Sequence, residues 1–145
     1  RDDDIAALQA LEDAGWAAHA DSQNSLKEAL LPLAAEYFLT ARTRRGKPVD
    51  PVARFHLGNG ARLERINWLG DKSAKGIRQA HGLMVNYLYD LKYIEQNHEA
   101  FVNDGIMAAS RTVRSMLRSG GKTRKKSKSS SDQKKEIKTD MPANE

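Results

Sequence analysis

The sequence predicts an α/β (α+β) fold, one mixed domain of helices around a small amount of strand. Two strand-like segments flank Gly58-Asn59-Gly60. A second alternating run, from Leu83 to Tyr89, puts Leu83, Val85, Tyr87 and Tyr89 on one face and Met84, Asn86 and Leu88 on the other. Helical spacing of apolar residues governs the segments before, between and after these runs.

Each element has a local cause. Asp2, Asp3 and Asp4 suit the positive end of a helix dipole, and Ile5, Leu8 and Leu11 share one side of the helix that follows. Gly15 ends that helix, and Trp16 is a packing anchor. Ser25-Leu26-Lys27-Glu28 fits a capping box. Pro32 lacks an amide and clashes with the preceding turn, so a short turn should end near Leu30 and a new helix should start around Pro32. Leu33, Tyr37, Phe38 and Ala41 would form its stripe. Arg42, Arg44, Arg45 and Lys47, with Gly46 and Pro48, read as a solvated connector.

Asn59-Gly60 predicts a hairpin, because both residues tolerate the positive φ of a type I′ turn. Ahead of it, Ala53, Phe55 and Leu57 would form an apolar face, and Val52, Arg54 and His56 the other. A two-residue turn would pair His56 with Leu63, but also Arg54 with Arg65. Like charges directly opposite are unfavourable, so a bulge or longer loop is allowed. Asp71 or Ser73 caps a short helix from Ala74 to Ala80, weakened by Gly76, with His81-Gly82 at its end. Tyr93 to Phe101 forms another helix, closed by Asn103-Asp104-Gly105. Ile106 to Leu117 reads as an amphipathic helix, apolar on Ile106, Ala109, Val113, Met116 and Leu117 and basic on Arg111, Arg114 and Arg118. Gly120 to Glu145 lacks the apolar residues to offset its ordering entropy and is expected to be disordered. The chain thus divides into a body, 1–119, and a basic tail, 120–145.

Composition narrows the function. The 145 residues suffice for one domain. Cysteine is absent, which removes disulfides, thiol nucleophiles and thiolate metal sites from this chain and fits a reducing, cytoplasmic compartment. No apolar run approaches the ~20 residues that span a bilayer, so no membrane association is expected. The chain begins at Arg1 rather than Met, and an upstream part is expected to exist. The net charge of +5 divides unevenly: the tail contributes +4 and the body +1. A near-neutral body is a poor nucleic-acid surface, so no specific nucleic-acid partner is expected. The tail's Lys-Thr-Arg-Lys-Lys-Ser-Lys run suits only non-specific, salt-sensitive polyanion binding. A noncatalytic binding module using that tail for nucleic acid or an acidic partner is the alternative class.

No Gly-rich phosphate loop, paired metal ligands or catalytic triad is visible. His19 and His98 lack metal-spaced partners. A lone histidine such as His56 is ordinarily a hydrogen-bonded structural residue. The tyrosines read as packing groups with satisfied hydroxyls, and Asn59 as a turn former.

Four motifs change this reading. Asp50-Pro-Val-Ala-Arg-Phe-His-Leu, Asn59-Gly-Ala, Arg65-Ile-Asn-Trp and Gly82-Leu-Met-Val-Asn-Tyr occur in this order and at close spacing. Over roughly Leu26 to Leu117 the chain resembles the malonyl-CoA decarboxylase family, in its C-terminal catalytic part. The resemblance implies a helical domain followed by a catalytic domain of acetyltransferase-like (GNAT) fold, of which this chain is the last portion. It implies conversion of malonyl-CoA to acetyl-CoA and carbon dioxide without metal or organic cofactor, by an enzyme that is a homo-oligomer when complete. The family uses a Ser and a His. The His falls on His56, in Phe-His-Leu, as proton donor to the enolate, a task suited to an imidazole. The Ser and the main CoA-binding loop belong upstream; Ser22, Ser25, Ser73 and Ser110 lie outside the family's Ser motif. Asn59, Asn67, Asn86 and Tyr89 are candidate substrate-binding residues beside His56. An acetyltransferase, suggested by the fold alone, ranks below these readings.

Overall fold

The computed structural model describes residues 1–13 and 15–118. The first helix, α1 (Asp2–Ala10), has its three aspartates in the first turn. It is rotated from the expected orientation. Ile5 and Leu8 are exposed, while Ala7 and Leu11 pack on a small cluster of Trp16, Leu26 and Leu30. Asp4 shares the inward side with Ala7 and Leu11, and Arg118 draws it there through two hydrogen bonds. A 3₁₀ turn, Trp16–Ala18, seats Trp16 against Trp68 with ring centroids 6.0 Å apart.

The break expected before Pro32 does not occur. One helix, α2 (Ala20–Leu39), runs through Pro32. Proline in a helix interior costs about 3 kcal/mol. Here the helix is held on both sides of it: Leu26 and Leu30 are buried in the small cluster, and Ala35 and Leu39 in the main core. Ser25 and Glu28 lie inside α2 rather than at its start, so they form no capping box; its N-cap is His19. Tyr37, placed on an inward stripe, is 41% exposed.

The hairpin expected at Asn59-Gly60 is also absent. Residues Pro51–Gly58 form a helix, α3. Asp50 is its N-cap, accepting from the Ala53 amide at 2.8 Å, and Pro51 occupies the first turn, where a missing amide costs nothing. Ala53 and Leu57, four apart, are buried; Val52 and Phe55 are exposed. Asn59 closes α3, and Gly60 takes φ +89. A Cβ on Gly60 would lie 2.3 Å from the Ile94 carbonyl oxygen, so the glycine permits both the backbone angle and the close approach.

Strand β1 (Arg62–Asn67) pairs antiparallel with β2 (Met84–Leu88), not with residues 52–57. A register shift between Leu63 and Arg65 makes a bulge, so Leu63 and Ile66 both face the core. Helix α4 (Ala74–Ala80) joins the strands. Ser73 caps it as expected, and His81 ends it at φ 52. Gly76 does more than weaken α4: a Cβ there would meet the Asp71 carboxylate.

Helix α5 (Ile94–Asp104) ends on Gly105 at φ 65. The helix expected from Ile106 is shorter. Residues 106–110 run along the free side of β1, with Leu63 donating to the Ala108 carbonyl and Ser110 donating to the Leu63 carbonyl. Ser110 then caps α6 (Arg111–Met116). The main core joins α2, α3, β1, α5 and α6 through Leu39, Leu57, Leu63, Phe101, Met107 and Val113. Among the described residues no helix is long and apolar enough to cross a membrane. The disorder expected for 120–145 lies outside the described residues.

Candidate active site

His56 lies in the last turn of α3, half-buried, and faces β2. That orientation follows from helical rather than strand geometry. With Ala53 and Leu57 pinned in the core, position 56 falls at the margin of the buried face. Its ring stacks on Tyr87, with centroids 4.4 Å apart and planes 21° from parallel. Its Nδ1 lies 2.7 Å from the Tyr89 hydroxyl. Phe55 meets the ring edge-on at 5.2 Å. Nε2 makes no hydrogen bond to any described residue and is therefore the nitrogen available to a ligand.

The alternation read along β2 places Tyr87 and Tyr89 on one face, and the structure uses that face to receive His56. Val85 and Tyr87 pack against the main core, while Met84, Asn86 and Leu88 point away. Asn67 and Asn86 therefore belong to the opposite face, where the Asn67 amide donates to the Asn86 side-chain oxygen at 2.6 Å. The candidate residues separate into two groups: His56 with Tyr89, and Asn67 with Asn86 across the strand pair. Asn59 joins neither. Its backbone closes α3, donating to the carbonyls of Phe55 and His56.

The expectation that the tyrosines are packing groups with satisfied hydroxyls fails at Tyr87, behind the imidazole. The Tyr87 hydroxyl is buried and has no hydrogen-bond partner among the described residues. Burial pushes its pKa far above the ordinary 10.0, and Asp50 and Tyr37 add to the shift. Tyr37 donates to Asp50 at 3.3 Å while the other Asp50 oxygen caps α3. The shared face of Tyr87 and Tyr89 was legible. The helix that brings His56 onto it was not.

The four serines considered earlier stand elsewhere. Ser73 and Ser110 are helix caps, and Ser22 and Ser25 line the groove between α1 and α2.

The family described as malonyl-CoA decarboxylase C-terminal domain matches residues 1–127. This chain belongs to the malonyl-CoA decarboxylase family. It is 38% identical over 107 residues to the mitochondrial malonyl-CoA decarboxylase of Anser anser anser, covering 74% of this chain and 21% of that protein. It is 37% identical to the Rattus norvegicus enzyme over 102 residues, covering 70% and 20%. The crystal structures of malonyl-CoA decarboxylase from Rhodopseudomonas palustris and Agrobacterium vitis are each 56% identical and superpose with a TM-score of 0.74 over 78% of this chain. They share the mixed α/β architecture. The chain spans 26% and 28% of those structures, and about a fifth of the curated relatives it matches.

Proposed function

We propose that this chain supplies the proton-donating half of a malonyl-CoA decarboxylase site, with His56 as the donor. The observation that carries the reading is the pair of constraints on the imidazole: Tyr89 holds Nδ1, Tyr87 holds the ring plane, and Nε2 is left open. In the imidazolium, Nδ1–H donates to the Tyr89 oxygen while Nε2–H points to the substrate. The bond from the α-carbon to the carboxylate of malonyl-CoA breaks, carbon dioxide leaves, and the electron pair passes into the thioester enolate. Nε2–H then delivers its proton to the α-carbon, and the neutral Nδ1–H imidazole keeps the same bond to Tyr89. No group has to turn during the transfer, so the site is organised before the charge develops.

The remaining parts belong to the same reading. The partner Ser and the CoA-binding loop lie outside this chain, Asn67 and Asn86 support the strand pair beside the substrate, and Asn59 shapes the end of α3. The β1–β2 pair and its helices form the last part, residues 1–119, of a GNAT-type catalytic domain in a homo-oligomer, with 120–145 as a basic tail. The cysteine-free composition supports a cytoplasmic location, although the vertebrate relatives are named mitochondrial.

The binding-module reading finds little support in the body, whose basic residues are almost balanced by acidic ones to a net charge of +1.

In the complete enzyme, His56→Gln is expected to lower kcat for carbon dioxide release by about 10²- to 10⁴-fold, the usual contribution of a positioned acid, while the fold is kept. Unchanged turnover in a folded variant rules the assignment out. Residues 1–145 alone are expected to release no carbon dioxide from malonyl-CoA, and turnover by them would show that the second catalytic group lies within this chain.

A further inference from the structure

We infer that Tyr87 is a positioning residue for His56, and that the face of its ring, not its hydroxyl, does the positioning. The inference rests on His56 being the proton donor. Tyr89 grips one atom of the imidazole, Nδ1, at 2.7 Å. A single hydrogen bond fixes a distance but leaves the ring free to tilt about it. Tilting swings Nε2, on the far side of the ring, through the largest arc. The Tyr87 ring closes that freedom, because it lies 4.4 Å from the imidazole and within 21° of parallel. Tyr87 is itself held: it packs against the main core and is paired through the backbone with Leu63, which is fully buried. Proton transfer to carbon needs Nε2–H aligned with the developing lone pair, and a misplacement of about 1 Å can cost 10²-fold in rate.

The hydroxyl has no comparable task. It is buried and makes no hydrogen bond among the described residues. Asp50, the nearby carboxylate, already serves the Ala53 amide and the Tyr37 hydroxyl. A buried hydroxyl without a bond is a cost that a phenyl ring avoids.

The test is steady-state decarboxylation of malonyl-CoA by the complete enzyme, with thermal unfolding of each variant. Tyr87→Leu is expected to lower kcat by about 10- to 100-fold and to leave KM within about twofold, because the flat face is lost but substrate contacts are not. Tyr87→Met keeps the bulk without the flat face and is expected to behave alike, so it serves if the leucine variant does not fold. Tyr87→Phe is expected to restore kcat to within about threefold of the parent and to raise the unfolding midpoint. Parent-like kcat in a folded leucine or methionine variant overturns the inference. A phenylalanine variant as slow as the leucine variant overturns it too, by moving the role to the hydroxyl. His56→Gln is run alongside: if it keeps full turnover, the proton-donor reading fails, an outcome distinct from either of these.

Discussion

Burial holds the Tyr87 phenol protonated far beyond the ordinary tyrosine range, and the Asp50 carboxylate and Tyr37 reinforce it. The sign of the consequence follows from linkage. The folded state binds this proton more tightly than the unfolded state, so the stabilisation is whole below the unfolded pKa. It is lost as pH rises through that value towards the folded one. Denaturant unfolding of the complete enzyme should therefore show stability falling between roughly pH 8 and pH 11, and the fall should be shallower in Tyr87→Phe. Equal slopes would mean that the phenol is not shielded. At this scale the sequence was informative about which side chains share a face. It did not settle which of their polar atoms find partners, and the expected satisfaction of the Tyr87 hydroxyl failed, because that depends on atoms from three separate segments.

Among the elements, α3 decides the site. Asp50 caps it, Pro51 starts it, Asn59 and Gly60 end it, and His56 rides on its last turn. Asp50→Ala removes the oxygen that accepts from the Ala53 amide and should cost about 1 kcal/mol of stability by chemical denaturation, whereas Asp50→Asn, also a good N-cap, should cost less. Equal losses would assign the effect to the charge near Tyr37 and Tyr87 rather than to the cap. The misread hairpin came from this same stretch. Asn-Gly serves a type I′ turn and a helix terminus equally well, since both need a residue at positive φ. Asp50-Pro51 was the tie-breaking signal, an N-cap followed by a first-turn proline. Helix α4, strand β2 and helix α5 were legible because their caps and alternation admit fewer readings. Residues 106–110 were not, because their hydrogen bonds go to β1, a partner more than 40 residues distant in sequence.

Across the whole molecule, the segment after α6 returns to the start of the chain. Arg118 donates to both oxygens of Asp4, and its hydrogen bonding holds the Asp4 carboxyl below its ordinary 3.8. A depressed carboxylate contributes stability that is present above the unfolded pKa and lost as pH falls through the folded one. Acidification below about pH 4 should therefore loosen α1 from α2. Limited proteolysis across the turn after α1 reports that release, and Asp4→Asn should already be susceptible at neutral pH and change little on acidification. If the variant resists cleavage at neutral pH, α1 is held by Ala7 and Leu11 alone.

The sequence by itself determined the α+β class, the cap of α4, the shared face of Tyr87 and Tyr89, and the family resemblance that singled out His56. These are local or ordered along the chain, so neighbouring residues suffice to specify them. The continuity of α2 through Pro32 and the stacking of His56 on Tyr87 were decided by the tertiary structure. In α2 a local preference met burial on both sides of Pro32, and the packing of distant apolar residues outweighed it.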